Sequence, residues 1–79
     1  MKKATKPVEI ILHINEELQS TQINSLESSL SNDNGITSAR FNPKRNHLML
    51  VDYMPEIVSA REVLGYVHNR GYQAALIGG

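Results

Sequence analysis

Cysteine and tryptophan are absent from this 79-residue chain, and neither sign of charge is in excess. Without thiols there is no disulfide, no zinc–thiolate cluster and no thiolate nucleophile. Eight Lys and Arg balance eight Asp and Glu, which removes any bulk electrostatic attraction to nucleic acid or an anionic membrane. No apolar run approaches the roughly 20 residues that a membrane-spanning helix needs, so membrane insertion is not expected. There is no Ser-His-Asp arrangement, no Gly-rich phosphate loop and no carboxylate pair at helical spacing, so the chain reads as a protein that is not an enzyme. The start, Met1 to Pro7, is basic like the first region of a signal peptide. The apolar stretch after it is broken by Glu9, His13 and Asn15, and no small-residue cleavage site follows. Residues 1–7 therefore read as a disordered leader, and a cytoplasmic protein is the default.

What is present is one small domain, residues 8–77, with a regular alternation of patterns. Val8 to Ile14 is short and rich in β-branched residues, a strand in which Ile10, Leu12 and Ile14 share one face. From about Ser20 to Ser31 the spacing becomes helical, with Ile23, Leu26 and Leu30 on one side. Ser31-Asn32-Asp33-Asn34-Gly35 ends that helix, and Gly35 is free to take a positive φ. Ile36 to Phe41 is a second strand, with Ile36, Ala39 and Phe41 directed inward. The polar turn 42–46 leads to a return strand from His47 to Tyr53. Ser59-Ala60-Arg61-Glu62 is a capping box, and Val58 and Val63 occupy the positions of a hydrophobic staple. The second helix ends at Asn69-Arg70-Gly71, and Tyr72 to Ile77 is the last strand. The order βαββαβ with helices as right-handed crossovers gives an α+β protein. It is a ferredoxin-like sandwich, a four-stranded antiparallel sheet with two helices on one face.

Several details resemble the heavy-metal-associated domain of copper chaperones and of metal-transporting P-type ATPases. Leu26-Glu27 and Leu30 fall at the first helix's apolar-Glu and Leu positions. Gly35-Ile36 stands for Gly-Val, and Tyr53-Met54-Pro55 for Tyr-Asp-Pro. Val58-Ser59 matches the start of the second helix, and Gly71-Tyr72-Gln73-Ala74 matches the Gly-Tyr strand. The resemblance implies a loop between the first strand and first helix that carries Gly-Met-Thr-Cys-x-x-Cys. Here Glu16-Glu17-Leu18 replaces Gly-Met-Thr, and Gln19 and Gln22 replace the two cysteines. Cu(I) is soft and prefers sulfur ligands, so the family's metal ligands do not carry over. No resident cofactor or metal is expected.

The candidate binding residues are accordingly those of the altered loop, Glu16, Glu17, Gln19 and Gln22, with Tyr72 brought beside them by the family geometry. Their oxygen donors would suit a hard ion, but they fall short of a dedicated cation cage. His13 and His47 share the sheet face away from the helices, two ligands of an incomplete site, while His68 lies beyond the sheet; all three read as surface histidines. Ile11, Leu48 and Leu50 form an uncovered apolar cluster on the same open face, a candidate interface for a protein partner or self-association, provided the strand register holds. The open face lacks the aromatics on which RNA-recognition modules stack bases, so nucleic acid is not an expected partner. Two functions follow. One is a docking or regulatory module related to metal transport, with a metal transporter among its potential partners. The other is a metallochaperone-like protein that uses Glu, Gln or His ligands.

Overall fold

The computed structural model describes residues 6–78. Strand β1 (Val8–Ile14) is followed by helix α1 (Ser20–Ser31), then β2 (Ile36–Phe41), β3 (Leu48–Tyr53), α2 (Ala60–His68) and β4 (Ala74–Gly78). The sheet order is β2-β3-β1-β4, with every neighbouring pair antiparallel. This is the βαββαβ sandwich expected from the sequence. Of the leader, Met1 to Thr5 lie outside the described residues, and Lys6 and Pro7 are exposed without regular structure.

The register follows from the two-residue period of each strand. Ile10, Leu12 and Ile14 face the helices from β1, and Met49, Val51 and Tyr53 do so from β3. In β2 the inward residues Ile36 and Ala39 are three apart. A bulge between Ile36 and Ser38 inserts the extra residue and returns Ala39 and Phe41 to the core face. Helix α1 contributes Leu26 and Leu30, and α2 contributes Val63 and Val67. Leu12, Ile14, Leu30, Met49, Val51, Val63 and Val67 are fully enclosed, and each such side chain contributes about 1.5–3 kcal/mol from burial.

Both helices begin in the same way. At α2, Ser59 Oγ accepts from the Glu62 amide and Glu62 Oε1 accepts from the Ser59 amide, the capping box read from the sequence. Gly71, two residues past the C-cap, has φ +92°. Gly35 has φ +87°, and a Cβ there would lie 2.6 Å from Val58 Cγ1. The α1 C-terminus therefore sits directly on the turn into α2. Arg70 ties the same helices together by an ion pair to Asp33 at 2.9 Å and a bond to Ser29 Oγ at 2.8 Å.

Three strand ends differ from the sequence reading, for β4 also runs one residue further, through Gly78, which pairs with Ile11. β3 begins at Leu48, although the His47 carbonyl already accepts from the Ile14 amide. β4 begins at Ala74 rather than Tyr72, because the Gln73 amide bonds to a side-chain carboxylate instead of a strand partner.

Candidate functional site

The loop from Asn15 to Gln19 leaves β1 at the edge of the core, and its side chains explain its course. The Asn15 amide donates to the Gln73 carbonyl at 2.8 Å. The Glu16 carboxylate then accepts from the Gln73 amide at 2.9 and 3.1 Å through its two oxygens. Glu16 is thus a latch between the loop and the residue after Tyr72. Glu17 is exposed. Leu18 turns inward and is 7% exposed; with Ile23 it occupies the staple positions on either side of the α1 start. Gln19 is the N-cap residue, and its amide donates to Gln22 Oε1 at 2.9 Å. Gln22 therefore closes the first turn of α1, as Glu62 does for α2. Tyr72 is half-buried and packs against the core cluster.

This arrangement does not fit the metal that the resemblance implies. A thiolate pair would present two soft, charged donors from positions 19 and 22. Here Gln22 spends its carbonyl oxygen on a helix cap and Glu16 spends its carboxylate on a backbone amide. Among the described residues, no group of three or more His, Asp and Glu side chains is placed to hold a metal ion.

The open face carries the other candidates. Ile11 lies opposite Leu50, and Leu48 lies opposite His13. Ile11, Leu48 and Leu50 are half-buried rather than fully exposed, since neighbouring strands shield part of each side chain. Arg40, paired with Leu50, flanks them. His13 and His47 come together: their rings are nearly parallel, with centres 5.6 Å apart and planes at 14°. Both are half-buried, so they are a contacting pair and not isolated surface histidines. His68 stands apart on α2, bonded through Nε2 to the Ala74 carbonyl at 3.1 Å.

No family model and no curated protein sequence matches the chain. Its structure, however, superimposes on several solved domains. A copper-binding domain from a P-type ATPase matches with a TM-score of 0.78 at 21% identity, covering 89% of this chain and 93% of that one. The CopZ metallochaperone matches with a TM-score of 0.74 at 25% identity, covering 86% of this chain and all of that one, 100%. The N-terminal domain of a potential copper-translocating P-type ATPase from Bacillus subtilis, solved in the Cu(I)-loaded state, gives 0.78 at 22%, with coverage of 91% and 89%. The fold is that of a heavy-metal-associated domain.

Within that heavy-metal-associated fold, the chain lacks the paired cysteines altogether. No helix among the described residues is long and apolar enough to cross a membrane. Two features of the site have only weak signals in the sequence. For the capping role of Gln22 the sequence carries half a signal: Gln suits the third helical position of a capping box, but the box is specified by Ser or Thr at the N-cap, where this chain has Gln19. The burial of Leu18 had a weaker signal, an isolated Leu between charged and polar residues ahead of a helix.

Proposed function

We propose that this chain is a non-enzymatic docking module related to metal-transport proteins, with a loop that no longer handles metal. The observation that carries this reading is the use of Glu16 and Gln22 to hold backbone amides. Gln22, at one of the two cysteine positions of the resembled family, serves the fold, as does Glu16 in the same loop, so we take the scaffold to be retained for its surface. The surface best suited to a partner is the open sheet face, where Ile11, Leu48 and Leu50 form an apolar strip with no helix over it. A cytoplasmic location and a metal-transport partner accord with the P-type ATPase and metallochaperone relationship of the fold. The partner we assign is a heavy-metal-associated domain, either of a P-type ATPase or of a second copy of this chain.

The test is an amide chemical-shift titration of the labelled chain with a P-type ATPase metal-binding domain from the same organism, alongside light scattering of the chain alone. Docking predicts shifts centred on Ile11, Leu48 and Leu50 that Leu50→Lys abolishes. Self-association predicts a dimer that the same substitution dissociates. A monomer with no shifts at these residues would sink the reading.

The second reading, a metal site with non-thiolate ligands, draws no support from the loop. Nor does the His13–His47 pair support it, since the two rings stack nearly parallel and do not converge on one point.

A further inference from the structure

We infer that the occupant of the open sheet face is a second copy of this chain, related to the first by a two-fold axis that runs across the strands. The inference rests on the docking reading and narrows it. The two copies meet through Ile11 and Leu50, with the acidic end of each face set on the basic end of the other.

Strand pairing lays out the face row by row. Residues paired across neighbouring strands share one side of the sheet. Glu9 lies opposite Asp52, Ile11 opposite Leu50, and His13 opposite Leu48. Beyond the last row, Arg45, Asn46 and His47 border a surface cleft with His13 and Leu48. The face is therefore acidic at one end, apolar in the middle and basic at the other. The acidic row and the His13–Leu48 row each lie roughly 7 Å from the Ile11–Leu50 row, at about 3.3 Å per residue. A two-fold axis along the middle row exchanges the two ends. It sets Glu9 and Asp52 of each copy against the basic end of the other, an isologous contact made twice.

Two further observations point to such a partner. Glu9 and Asp52 are like charges directly opposite each other, which costs stability unless a cation meets them. Asp52 accepts from Ser38 Oγ at 3.2 Å, a bond that neutralises nothing. Among the described residues the one ion pair is Arg70–Asp33, so Glu9, Asp52 and Arg45 have no opposite charge there. The β4 side of the face is also flat. His13 pairs with Ala75 and Ile11 with Gly78, and a Cβ at Gly78 would already lie 3.6 Å from Ile11 Cδ1. Small residues here let a second sheet approach to the usual spacing of about 10 Å.

Arg40 supplies a signature of the arrangement. It pairs with Leu50, so it lies in the middle row on edge strand β2, and the axis brings the two copies of Arg40 together at the rim. The face is also small. Four strands about 4.8 Å apart and about 20 Å long cover roughly 400 Å², less than the roughly 800 Å² per partner of stable complexes. The dimer is accordingly reversible.

The experiment is sedimentation equilibrium of the full chain over a range of concentrations, with amide spectra to confirm that each variant is folded. Wild type should form a concentration-dependent dimer, and Leu50→Lys should abolish it. Glu9→Lys and Arg45→Glu should each weaken it about tenfold, because each reversal acts twice and turns a surface attraction into a repulsion. Both reversals in one chain should restore it to within about threefold of wild type. Arg40→Ala should tighten it about threefold by removing like charge at the rim. A dimer indifferent to Leu50→Lys, or a double variant no better than the single ones, would overturn the inference. So would a monomer at every concentration. In that case a titration with the P-type ATPase metal-binding domain separates the two readings. Shifts at Ile11, Leu48 and Leu50 would remove only the second copy, and no shifts would remove the docking reading as well.

Discussion

Gly35 and Gly71 have nearly the same backbone conformation but different surroundings, and replacing each by Ala separates two costs. Gly35 has φ +87° and Gly71 φ +92°, and an L-residue in that region costs about 1–2 kcal/mol in either position. At Gly71 an added Cβ meets nothing within 4 Å, so Gly71→Ala should cost about 1–2 kcal/mol and no more. At Gly35 the same Cβ would lie 2.6 Å from Val58 Cγ1, 2.9 Å from Val58 Cβ and 3.1 Å from Ile57 Cγ2. Val58 is 3% exposed and belongs to the core, so it cannot give way without displacing its neighbours. Overpacking of that kind adds about 1–3 kcal/mol. Gly35→Ala should therefore cost about 2–5 kcal/mol, a large share of the roughly 4–12 kcal/mol expected for a domain of this size. In thermal denaturation, at about 4–8 °C per kcal/mol, Gly35→Ala should melt well below Gly71→Ala. Equal melting temperatures for the two variants would refute the close approach of Gly35 to Val58.

Other contacts give smaller, directed effects. Glu27 Oε2 accepts from the Phe41 amide at 2.7 Å. Glu27→Ala leaves that donor without a partner and should cost about 1–3 kcal/mol, whereas Glu27→Gln keeps an acceptor and should cost less; urea melts of the two should rank them so. Ser59→Ala removes the α2 cap and should cost about 1 kcal/mol by the same assay. Gln22→Ala removes the oxygen that accepts from the Gln19 amide and should cost about 0.5–1 kcal/mol. Unchanged stability in Gln22→Ala would mean that this side chain is free for another role.

The fold was legible because several independent signals agreed. The β-branched run of the first strand, the three-and-four spacing of Ile23, Leu26 and Leu30, and the Ser59–Glu62 box each specify a local structure. Gly35 and Gly71 punctuate the helix ends at positions that require positive φ. Ile36 and Ala39 both face inward despite their odd spacing, and the bulge that permits it is not a sequence signal. Strand ends were less legible. Gln73 looks like part of a strand, and only the distant Glu16 carboxylate diverts its amide. The site shows the same division. That Gln19 and Gln22 are poor Cu(I) ligands follows from their chemistry alone. That Gln22 and Glu16 are committed to backbone amides needed coordinates, since Glu16 and Gln73 are 57 residues apart. The meeting of His13 and His47 likewise depends on the pairing of β1 with β3, which the two-residue period constrains only as to face.

The most direct test of the central claim, that the loop of this heavy-metal-associated fold has been converted from a metal site to a structural one, is an anaerobic Cu(I) titration followed by amide chemical shifts. Wild-type chain would be compared with the double variant Gln19→Cys, Gln22→Cys. The account predicts no saturable shifts at residues 16–22 and Tyr72 in the wild type, and saturable shifts at those residues once the thiolate pair is restored. Saturable Cu(I) shifts in the wild-type loop would contradict it.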